Sequence, residues 1–378
     1  MMRITAVRPV LLTHPYGADG RRSACFVEVE TDAGITGTGE TYAGVYVPEI
    51  SASIVGLFEP LLVGQDPTAP EALYRLAYRA TSYFGRTGLT VMVLSAIENA
   101  CWDIAGQARG VPVHALLGGA VHDELPMYGS GGPFTMTVPE LIAQAVDTKR
   151  RGLRGFKMRV NFFRYQPEVE AERVAAVREA IGGEMALAID AVQSYNPRPW
   201  SAKDAARMLR RLEPFELAWA EEMLPPFDPE PYAALRRTTS TPIAGGEGIT
   251  TAVQFEQWLR AGAFDLAQPD ATIIGGIGEA RRACNTAAAR SIPIAVHVWG
   301  SAPTLAANVH LAVATPNCIW VEQPVLGNPL ETELFVEPLV IENGHVRPPT
   351  TPGLGIRITS EHRAKYSFVP GSGSVFGV

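Results

Sequence analysis

The sequence predicts an α/β protein in which a TIM-type (β/α)7β barrel carries an N-terminal α+β capping domain that the C-terminal tail completes. Three observations predict this fold class. The chain has 378 residues, more than the ~250 at which a single core usually stops growing, so a large and a small domain are expected. Eight short apolar runs alternate with amphipathic stretches, and charged residues end most of these runs. We expect the capping domain at 1–124, the barrel at 125–325 and the tail at 326–378.

The N-terminal part has the pattern of strands followed by helices. Residues 25–40 alternate apolar and polar positions on both sides of residues 31–34, which is typical of an antiparallel hairpin with a Gly-assisted turn. Residues 88–109 repeat apolar side chains three and four positions apart, and the pattern stops at Gly110 with Pro112 just beyond, which predicts a helix and its end. Because strands and helices are not interleaved, an α+β module is expected.

From residue 125 onward the pattern is that of repeated βαβ units, with short apolar or β-branched runs between longer amphipathic stretches. Stretches such as 168–181 and 203–212 are predicted helices. Eight β units over roughly 200 residues indicate a compact TIM-type barrel. The tail from about residue 348 is rich in Pro, Gly and Ser and is predicted to wrap over the first module as irregular chain. The predicted barrel strands are 125–130, 155–160, 185–190, 217–221, 242–247, 264–268, 293–297 and 319–322.

Charge and cysteine usage argue against several classes of protein. The net charge of -7 comes without any basic run, so no nucleic-acid partner is expected. No stretch approaches 18 consecutive apolar residues, so no membrane-spanning segment is expected. The four cysteines lie far apart without CxxC spacing, which favours reduced thiols over a disulfide or zinc framework. The N-terminal apolar stretch is too short for a signal peptide, and we therefore predict a cytoplasmic protein.

Charged side chains recur at the ends of the predicted barrel strands. Counted as one residue per strand from Lys157 onward, they are spaced by 23 to 33 residues, close to the ~30 residues of one βα unit in a barrel. This spacing places them together on the C-terminal rim, where barrel enzymes keep their active sites. One such carboxylate could be a helix cap, but a whole series in step favours a shared site. The series comprises Lys157, Arg159, Asp190, Glu221, Glu222, Glu247, Asp270, His297 and Glu322.

Three carboxylates from successive strands suggest a metal ion. Asp190, Glu221 and Glu247 supply hard oxygen ligands and leave coordination positions open for water and substrate, which suits Mg²⁺. Zinc is disfavoured, because no strand of this chain ends in the His-x-His pair that begins the zinc-type sites of barrel hydrolases.

The order of these residues resembles the mandelate racemase branch of the mandelate racemase/muconate lactonizing enzyme family, within the enolase superfamily. The resemblance covers nearly the whole chain, including the N-terminal strand and hairpin. The segments that carry it are SAIENACWDIAGQARGVPVHALLGG, LAID, AWAEE, IAGGEGI, PDATIIGGI and VHVWGSAPTLAANVHLA.

The resemblance implies a role for each strand-end residue. Asp190, Glu221 and Glu247 would hold Mg²⁺, His297 and Asp270 would form a base dyad, and Glu322 would be an acid beside the enolate. The implied reaction removes the proton α to a carboxylate. Such a reaction leaves an enediolate, whose two negative charges a divalent cation stabilises. Asp270 would tie down the second ring nitrogen of His297 and stabilise its imidazolium.

Three positions depart from the family pattern. Arg159 stands where relatives often carry a second basic Lys two residues after Lys157, and arginine is a poor proton acceptor at neutral pH. Val192 replaces the Asn or His that many relatives carry after the metal Asp, and Met223 replaces a common Pro. We expect Lys157 and Arg159 to point into one cavity, with Lys157 assisting the substrate carboxylate.

The departures favour a reaction that needs only one base. Dehydration of an acid sugar to a 2-keto-3-deoxy acid can use His297 both as base and as acid, whereas a racemase or epimerase needs bases on both faces of the substrate. We rank dehydration first and racemisation second. Cycloisomerases rank third, because their neighbouring branch keeps a Lys on the sixth strand where this chain offers Asp270 and His297. A catalytically silent metal-binding barrel and a Schiff-base aldolase using Lys157 are the remaining alternatives.

The substrate is predicted to be a small-molecule carboxylate, but the motifs do not identify it. Loops 13–22 and 42–47 of the capping domain are expected to close the pocket, with Tyr16, Arg21 and Tyr42 as candidate substrate contacts. His310 lies in an apolar helix without a comparable partner and is predicted to be structural. We also expect a homo-oligomer.

Overall fold

The computed structural model describes residues 2–16, 20–161 and 163–373. The N-terminal sheet has three antiparallel strands in the order β1-β2-β3, so the predicted hairpin is confirmed and is preceded by a long first strand. The predicted helix is α3, and it ends at Gly110 in the left-handed conformation with φ 66°. The elements are β1 (Ile4–Tyr16), β2 (Gly20–Thr31), β3 (Thr36–Thr41), a 3-10 turn (Tyr42–Val45), α1 (Pro48–Leu62), α2 (Pro70–Thr81), α3 (Leu89–Arg109) and α4 (Val113–Leu116).

Eight parallel strands form a closed barrel, as predicted. Each neighbour in the sequence pairs with the next, and the last strand pairs back onto the first through Val321 and Met127. Every predicted run overlaps one observed strand, and β4 and β11 extend beyond theirs. The strands are β4 (Leu125–Gly131), β5 (Gly155–Arg159), β6 (Ala186–Asp190), β7 (Trp219–Glu221), β8 (Ile243–Gly245), β9 (Leu266–Ala267), β10 (Ile294–Val296) and β11 (Cys318–Pro324).

Helices cover the outside of the barrel and bury its apolar strands. The predicted helices at 168–181 and 203–212 are α6 and α7, and Ser201 begins the second with a capping box that ties its hydroxyl to the backbone of Asp204. One large core of buried apolar side chains runs between strands and helices, with Leu187, Ile243 and Phe255 among its fully buried members. The helices are α5 (Val138–Arg150), α6 (Pro167–Ile181), α7 (Ala202–Leu212), α8 (Pro229–Arg236), α9 (Ala252–Ala261), α10 (Ile277–Ala288) and α11 (Ala302–Val313).

The tail returns to the capping domain and completes it. The amide of Leu354 donates to Asp103 Oδ1 at 2.8 Å, and Oδ2 of the same buried carboxylate accepts from the amide of Thr38 at 3.0 Å. The amide of Thr13 in β1 donates to the carbonyl of Tyr366 at 2.9 Å. The division of the chain at residues 124 and 325 itself stays a prediction. The tail elements are α12 (Leu330–Glu333), β12 (Ile341–Glu342), β13 (His345–Val346) and α13 (Ser360–Lys365).

The prediction that the tail is irregular throughout was wrong. Residues Ser360–Lys365 form a helix, because Thr359 caps it and accepts from the amide of His362 at 3.2 Å. His345–Val346 also pairs antiparallel with the start of β4, so the tail contacts the barrel as well. In the described ranges, no helix is both long and apolar enough to cross a bilayer.

A pair of stacked histidines lies where α4 meets α11. The ring of His310 packs on that of His114 with centroids 5.5 Å apart, and His310 Nδ1 accepts from the amide of His114 at 3.2 Å. His310 is fully buried. Burial, together with the nearby His114, lowers the pKa of His310 to about 3. This contact supports the prediction that His310 is structural.

The lowered pKa of His310 predicts acid sensitivity of the fold. The unfolded chain binds a proton near the ordinary pKa of 6.5, whereas the folded chain resists it down to about pH 3. Stability is therefore intact above pH 6.5 and falls by roughly 1.4 kcal/mol per pH unit as the pH decreases through this window. We expect the urea midpoint of the wild type to fall more steeply from pH 7 to pH 5 than that of His310→Gln. Equal slopes would show that His310 does not cause the effect.

Candidate active site at the carboxyl ends of the barrel strands

Three of the predicted site carboxylates end consecutive barrel strands. Asp190 is the last residue of β6 and pairs in register with Glu221, the last residue of β7. Glu247 follows two residues after β8 ends at Gly245. Because parallel strands share one direction, these side chains lie on the same rim of the barrel. The sequence therefore predicted their placement along the strands.

The first two carboxylates are tied by neighbouring donors. Oδ1 of Asp190 accepts from the amide of Val192 at 2.9 Å. Oε2 of Glu221 accepts from the indole of Trp219 at 3.0 Å and from the amide side chain of Gln268. Burial and the neighbouring Glu221 raise the pKa of Asp190 to about 6. Glu221 thus lies close enough to Asp190 to oppose its ionisation.

Two cationic side chains, Lys157 and Arg159, contact the carboxylates of this rim. Lys157 Nζ forms a buried ion pair with Glu221 Oε1 and lies 2.9 Å from Glu322 Oε1. Arg159 Nε lies 3.9 Å from Asp190 Oδ2, and its guanidinium carbon is 4.5 Å from the ring centroid of Trp299. Lys157 and Arg159 thus both contact carboxylates of the same rim, and the expectation that they point into one cavity stays a prediction.

The donor set fits a divalent cation by its chemistry, although the side chains are not gathered round one point. Within residues 2–16, 20–161 and 163–373, no three His, Cys, Asp or Glu side chains are arranged as a metal-binding group. Lys157 instead contacts Glu221, and His297 Nε2 lies 3.6 Å from Glu247 Oε2. Burial raises the pKa of Glu247 well above its usual range, and Glu222 and Glu221 add to the rise. Carboxylate oxygens are the hard donors that bind Mg²⁺ in proteins.

His297 and Asp270 form the predicted pair. His297 Nδ1 lies 2.8 Å from Asp270 Oδ2, and Asp270 is fully buried. Although burial alone would lower it, the carboxylates of Glu247 and Glu322 and the hydrogen bond with Asp270 raise the pKa of His297 to about 10. A cation bound by Glu247 would offset the largest of these negative charges and so oppose the rise. Nε2 of His297 faces the carboxylates of Glu247 and Glu322.

Glu322 connects the dyad with Lys157. Its Oε2 accepts from the amide of Val298 at 2.8 Å and lies 4.0 Å from His297 Nε2. Burial opposes ionisation, but the positive charges of Lys157 and His297 lower the pKa of Glu322 below its usual range. The site therefore favours the carboxylate form of Glu322, whereas the acid implied by the family resemblance would be protonated.

The candidate substrate contacts Tyr16, Arg21 and Tyr42 differ in where their side chains point. Tyr42 lies beside the dyad, with its ring 5.8 Å from that of His297. Tyr16 packs under Arg22, whose guanidinium carbon is 4.3 Å from the tyrosine ring and 5.6 Å from that of Trp299. Arg21 is exposed and lies on the other face of β2, because successive strand residues point to opposite sides. The structure thus brings Arg22, and not Arg21, toward the barrel. Residues 17–19 of the expected lid loop 13–22 lie outside the described residues.

The family assignment follows from the match along the chain. Residues 3–118 match the mandelate racemase/muconate lactonizing enzyme N-terminal domain, and residues 140–362 match the enolase C-terminal domain-like family. The chain belongs to the mandelate racemase/muconate lactonizing enzyme family. The resemblance inferred from sequence motifs is therefore confirmed.

Relatives within this family carry names of two kinds of activity. The chain is 34% identical over 379 residues to a D-galactarolactone cycloisomerase of Agrobacterium fabrum, covering 95% of this chain and 97% of the relative. It is 31% identical over 333 residues to an arabinonate dehydratase of Saccharolobus solfataricus, covering 88% and 87%. The crystal structure of an L-talarate dehydratase from Polaromonas sp. JS666, complexed with Mg and L-glucarate, has a TM-score of 0.84 and 31% identity, covering 96% and 97%.

Sequence reasoning missed Tyr46, Tyr195 and Gln268 at the rim, although it singled out Tyr42, Glu222 and Glu247 there. Tyr42, Tyr46, Tyr195, Glu222 and Glu247 line a cavity of about 290 Å³. Tyrosine hydroxyls link the capping domain to the barrel across this cavity, since Tyr46 contacts both Tyr42 and Tyr195. Nothing in the local sequence relates these tyrosines, because they meet only after the two domains pack. Gln268 could have been found, as it stands two residues before Asp270 at a strand end.

Backbone strain also occurs at this rim. Val192 has φ 42° and Glu222 has φ 46°, both in the left-handed region that is unfavourable for side chains with a Cβ and most so for a β-branched one. Each follows a proposed metal ligand within two residues. The backbone amide of Val192 points toward Asp190 in this strained conformation and donates to it. Val192, which departs from the family pattern, therefore has a structural role that needs no polar side chain.

Proposed function

We propose that this protein is a Mg²⁺-dependent lyase that removes the proton α to the carboxylate of an acid sugar and releases the β-hydroxyl as water, giving a 2-keto-3-deoxy acid. The observation that carries the proposal is the His297–Asp270 pair, 2.8 Å apart, on the same rim as the carboxylates of Asp190, Glu221 and Glu247. Two relatives that are 31% identical to this chain are named dehydratases, which supports the proposal.

The proposed roles follow from the contacts. Asp190, Glu221 and Glu247 would hold Mg²⁺, which when bound supplies positive charge beside the substrate carboxylate. His297 Nε2 would take the α-proton, and Asp270 would keep the proton on Nδ1 and stabilise the resulting imidazolium. Lys157 would add a second positive charge beside the substrate carboxylate.

Dehydration is favoured over racemisation because this chain offers one proton acceptor. Arg159 occupies the position opposite His297 in the family pattern, and its guanidinium stays protonated. An imidazolium formed on one face can return its proton to a hydroxyl leaving from the same face, which completes an elimination. A racemase would need a competent base on the other face.

A lactone-opening cycloisomerase is the second candidate. The observation that favours it is the 34% identity to a named D-galactarolactone cycloisomerase across 95% of the chain. The two reactions share their first step, removal of the α-proton. They differ in whether a hydroxide or a ring oxygen leaves, so a dehydration loses one water whereas a ring opening leaves the mass of the lactone unchanged.

Product mass separates the candidates. We expect a panel of aldonic, uronic and aldaric acids, each with its lactone, to yield at least one keto acid when incubated with the protein and Mg²⁺. Mass spectrometry should show loss of one water from the acid, with no consumption of the lactone. Consumption of the lactone at constant mass would support the cycloisomerase. A panel without any keto product, or with C2 epimers alone, would refute the proposed lyase.

Location and assembly complete the proposal. We place the protein in the cytoplasm as a homo-oligomer that binds a small-molecule carboxylate and neither nucleic acid nor membrane. The burial of Cys25, Cys101, Cys284 and Cys318 as free thiols is compatible with a reducing compartment. Light scattering on the purified chain measures the oligomeric state directly.

A further inference from the structure

Asp270 is held by more than its bond to His297. Its second oxygen, Oδ1, accepts from both the amide and the hydroxyl of Thr272 at 2.7 Å and from Asn308 Nδ2 at 3.0 Å. Three donors on one oxygen fix the plane of the carboxylate, so that Oδ2 can only face the imidazole.

Asn308 satisfies every polar atom of its side chain in forming this arrangement. It is fully buried in α11, and its Oδ1 accepts from the amide of Ala271, the residue after Asp270, at 3.0 Å. Its Nδ2 also donates to the carbonyl of Thr304, one helical turn earlier, at 3.1 Å. Asn308 therefore grips both the carboxylate of Asp270 and the backbone that carries it.

The helix that carries Asn308 is itself anchored to the capping domain. Glu40 of β3 is buried and accepts from the amide of Ser301 at 2.9 Å and from the hydroxyl of Thr304 at 2.8 Å, at the N-terminus of α11. Asn99 of α3, also in the capping domain, contacts the backbone next to Asp270, because its side-chain amide donates to the carbonyl of Ala271 at 2.9 Å. A continuous chain of hydrogen bonds thus runs from the capping domain through α11 to the dyad.

We propose that Asn308 is a positioning residue for proton transfer, which orients Asp270 against His297 and is itself held in place by Glu40 of the capping domain. The inference rests on the proposed function, in that it assigns the dyad a proton-transfer step. On this proposal the capping domain, besides closing the pocket, fixes the geometry of the His297–Asp270 pair through its contacts with α11.

Substitution of Asn308 by Leu tests the proposal, because Leu has similar volume and no donor. We expect kcat to fall by roughly 10- to 100-fold with KM unchanged, as for other residues that orient a reacting group from behind. Thr272→Val, which removes one donor from the same oxygen and keeps the shape, should act in the same direction more weakly. Glu40→Gln keeps an acceptor at the helix terminus and should have the smallest effect.

Val309→Ala is the matched control, since Val309 is the next residue of α11 and is equally buried, but its apolar side chain has no donor for Asp270. It should lower the melting temperature and leave kcat as in the wild type. A general loosening of α11 would lower kcat in both variants, and that result would overturn the proposal.

A spectroscopic readout separates this inference from the proposed function. The ring Nδ1–H of His297, bonded to a carboxylate, should give a proton resonance far downfield that disappears in His297→Asn. We expect that resonance to move or broaden in Asn308→Leu and Thr272→Val but not in Val309→Ala. If no acid is turned over, the lyase assignment fails and the resonance still decides the role of Asn308. An unchanged resonance in Asn308→Leu would refute it.

Discussion

Replacing His297 by Asn is expected to abolish exchange of the substrate α-proton with solvent deuterium, a loss of roughly 10⁴-fold or more. Asn cannot accept a proton, and in the proposed mechanism no other group on that face can replace the imidazole. The measurement is the decay of the C2–H signal by NMR in deuterated water, with a keto-acid-forming substrate and Mg²⁺. Asp270→Asn should also be damaging, since it removes the charge that stabilises the imidazolium 2.8 Å away.

The same experiment tests the single-base interpretation through stereochemistry. With Arg159 unable to accept a proton, only one configuration at C2 should exchange or react. His310→Gln is the control, because it removes a buried histidine that stacks on His114 and should leave the exchange rate unchanged. Interconversion of both C2 epimers at comparable rates would mean that a group on the opposite face works as a base, and a racemase would then replace the lyase.

Substituting a proposed metal ligand is expected to remove both activity and stabilisation by Mg²⁺. Wild-type protein in Mg²⁺ at 100 times the dissociation constant should gain roughly 2.7 kcal/mol of stability, visible as a rise in melting temperature. Asp190→Asn, Glu221→Gln and Glu247→Gln should each lose most of that rise, because each removes a charged oxygen ligand.

Glu222→Gln provides the matched control for the metal ligands. Glu222 adjoins Glu221, is buried and accepts from Ser194 at 2.9 Å, yet it is not a proposed ligand. Its substitution should preserve the response to Mg²⁺. A variant of Glu222 that lost the response while Glu247→Gln kept it would reassign the third ligand, and a wild type indifferent to Mg²⁺ would refute the metal site.

The barrel and the rim could be predicted because both depend on local periodicity. Strands that recur about every thirty residues must run parallel around a barrel, and this alone placed Asp190, Glu221 and His297 on one rim. Apart from the His297–Asp270 pair, the sequence could not predict which side chains of the rim contact one another. The contacts of Lys157 with Glu221 and Glu322 depend on rotamers set by packing between distant strands.

The sequence predictions were wrong where a tertiary contact overrode the local pattern. Arg21 and Arg22 are equivalent by composition, and only the register of β2 against His14 and Pro15 decides which one faces Trp299. The tail helix was missed because Pro and Gly dominate its surroundings, although Thr359 marks its start. Asn308 carries no signal at all, since it lies 38 residues from Asp270 and meets it only when α11 packs.

Closure of the barrel by β11 has a consequence for synthesis on the ribosome. The proposed ligands and the dyad all precede residue 318, so a nascent chain carries them while the edge of β4 remains unpaired. At typical translation rates that edge waits roughly 10 to 40 seconds for its partner strand. An unpaired strand edge invites pairing with other chains. Translational pauses before residue 318 would therefore increase aggregation and dependence on chaperones, whereas pauses after β11 has left the ribosome would not.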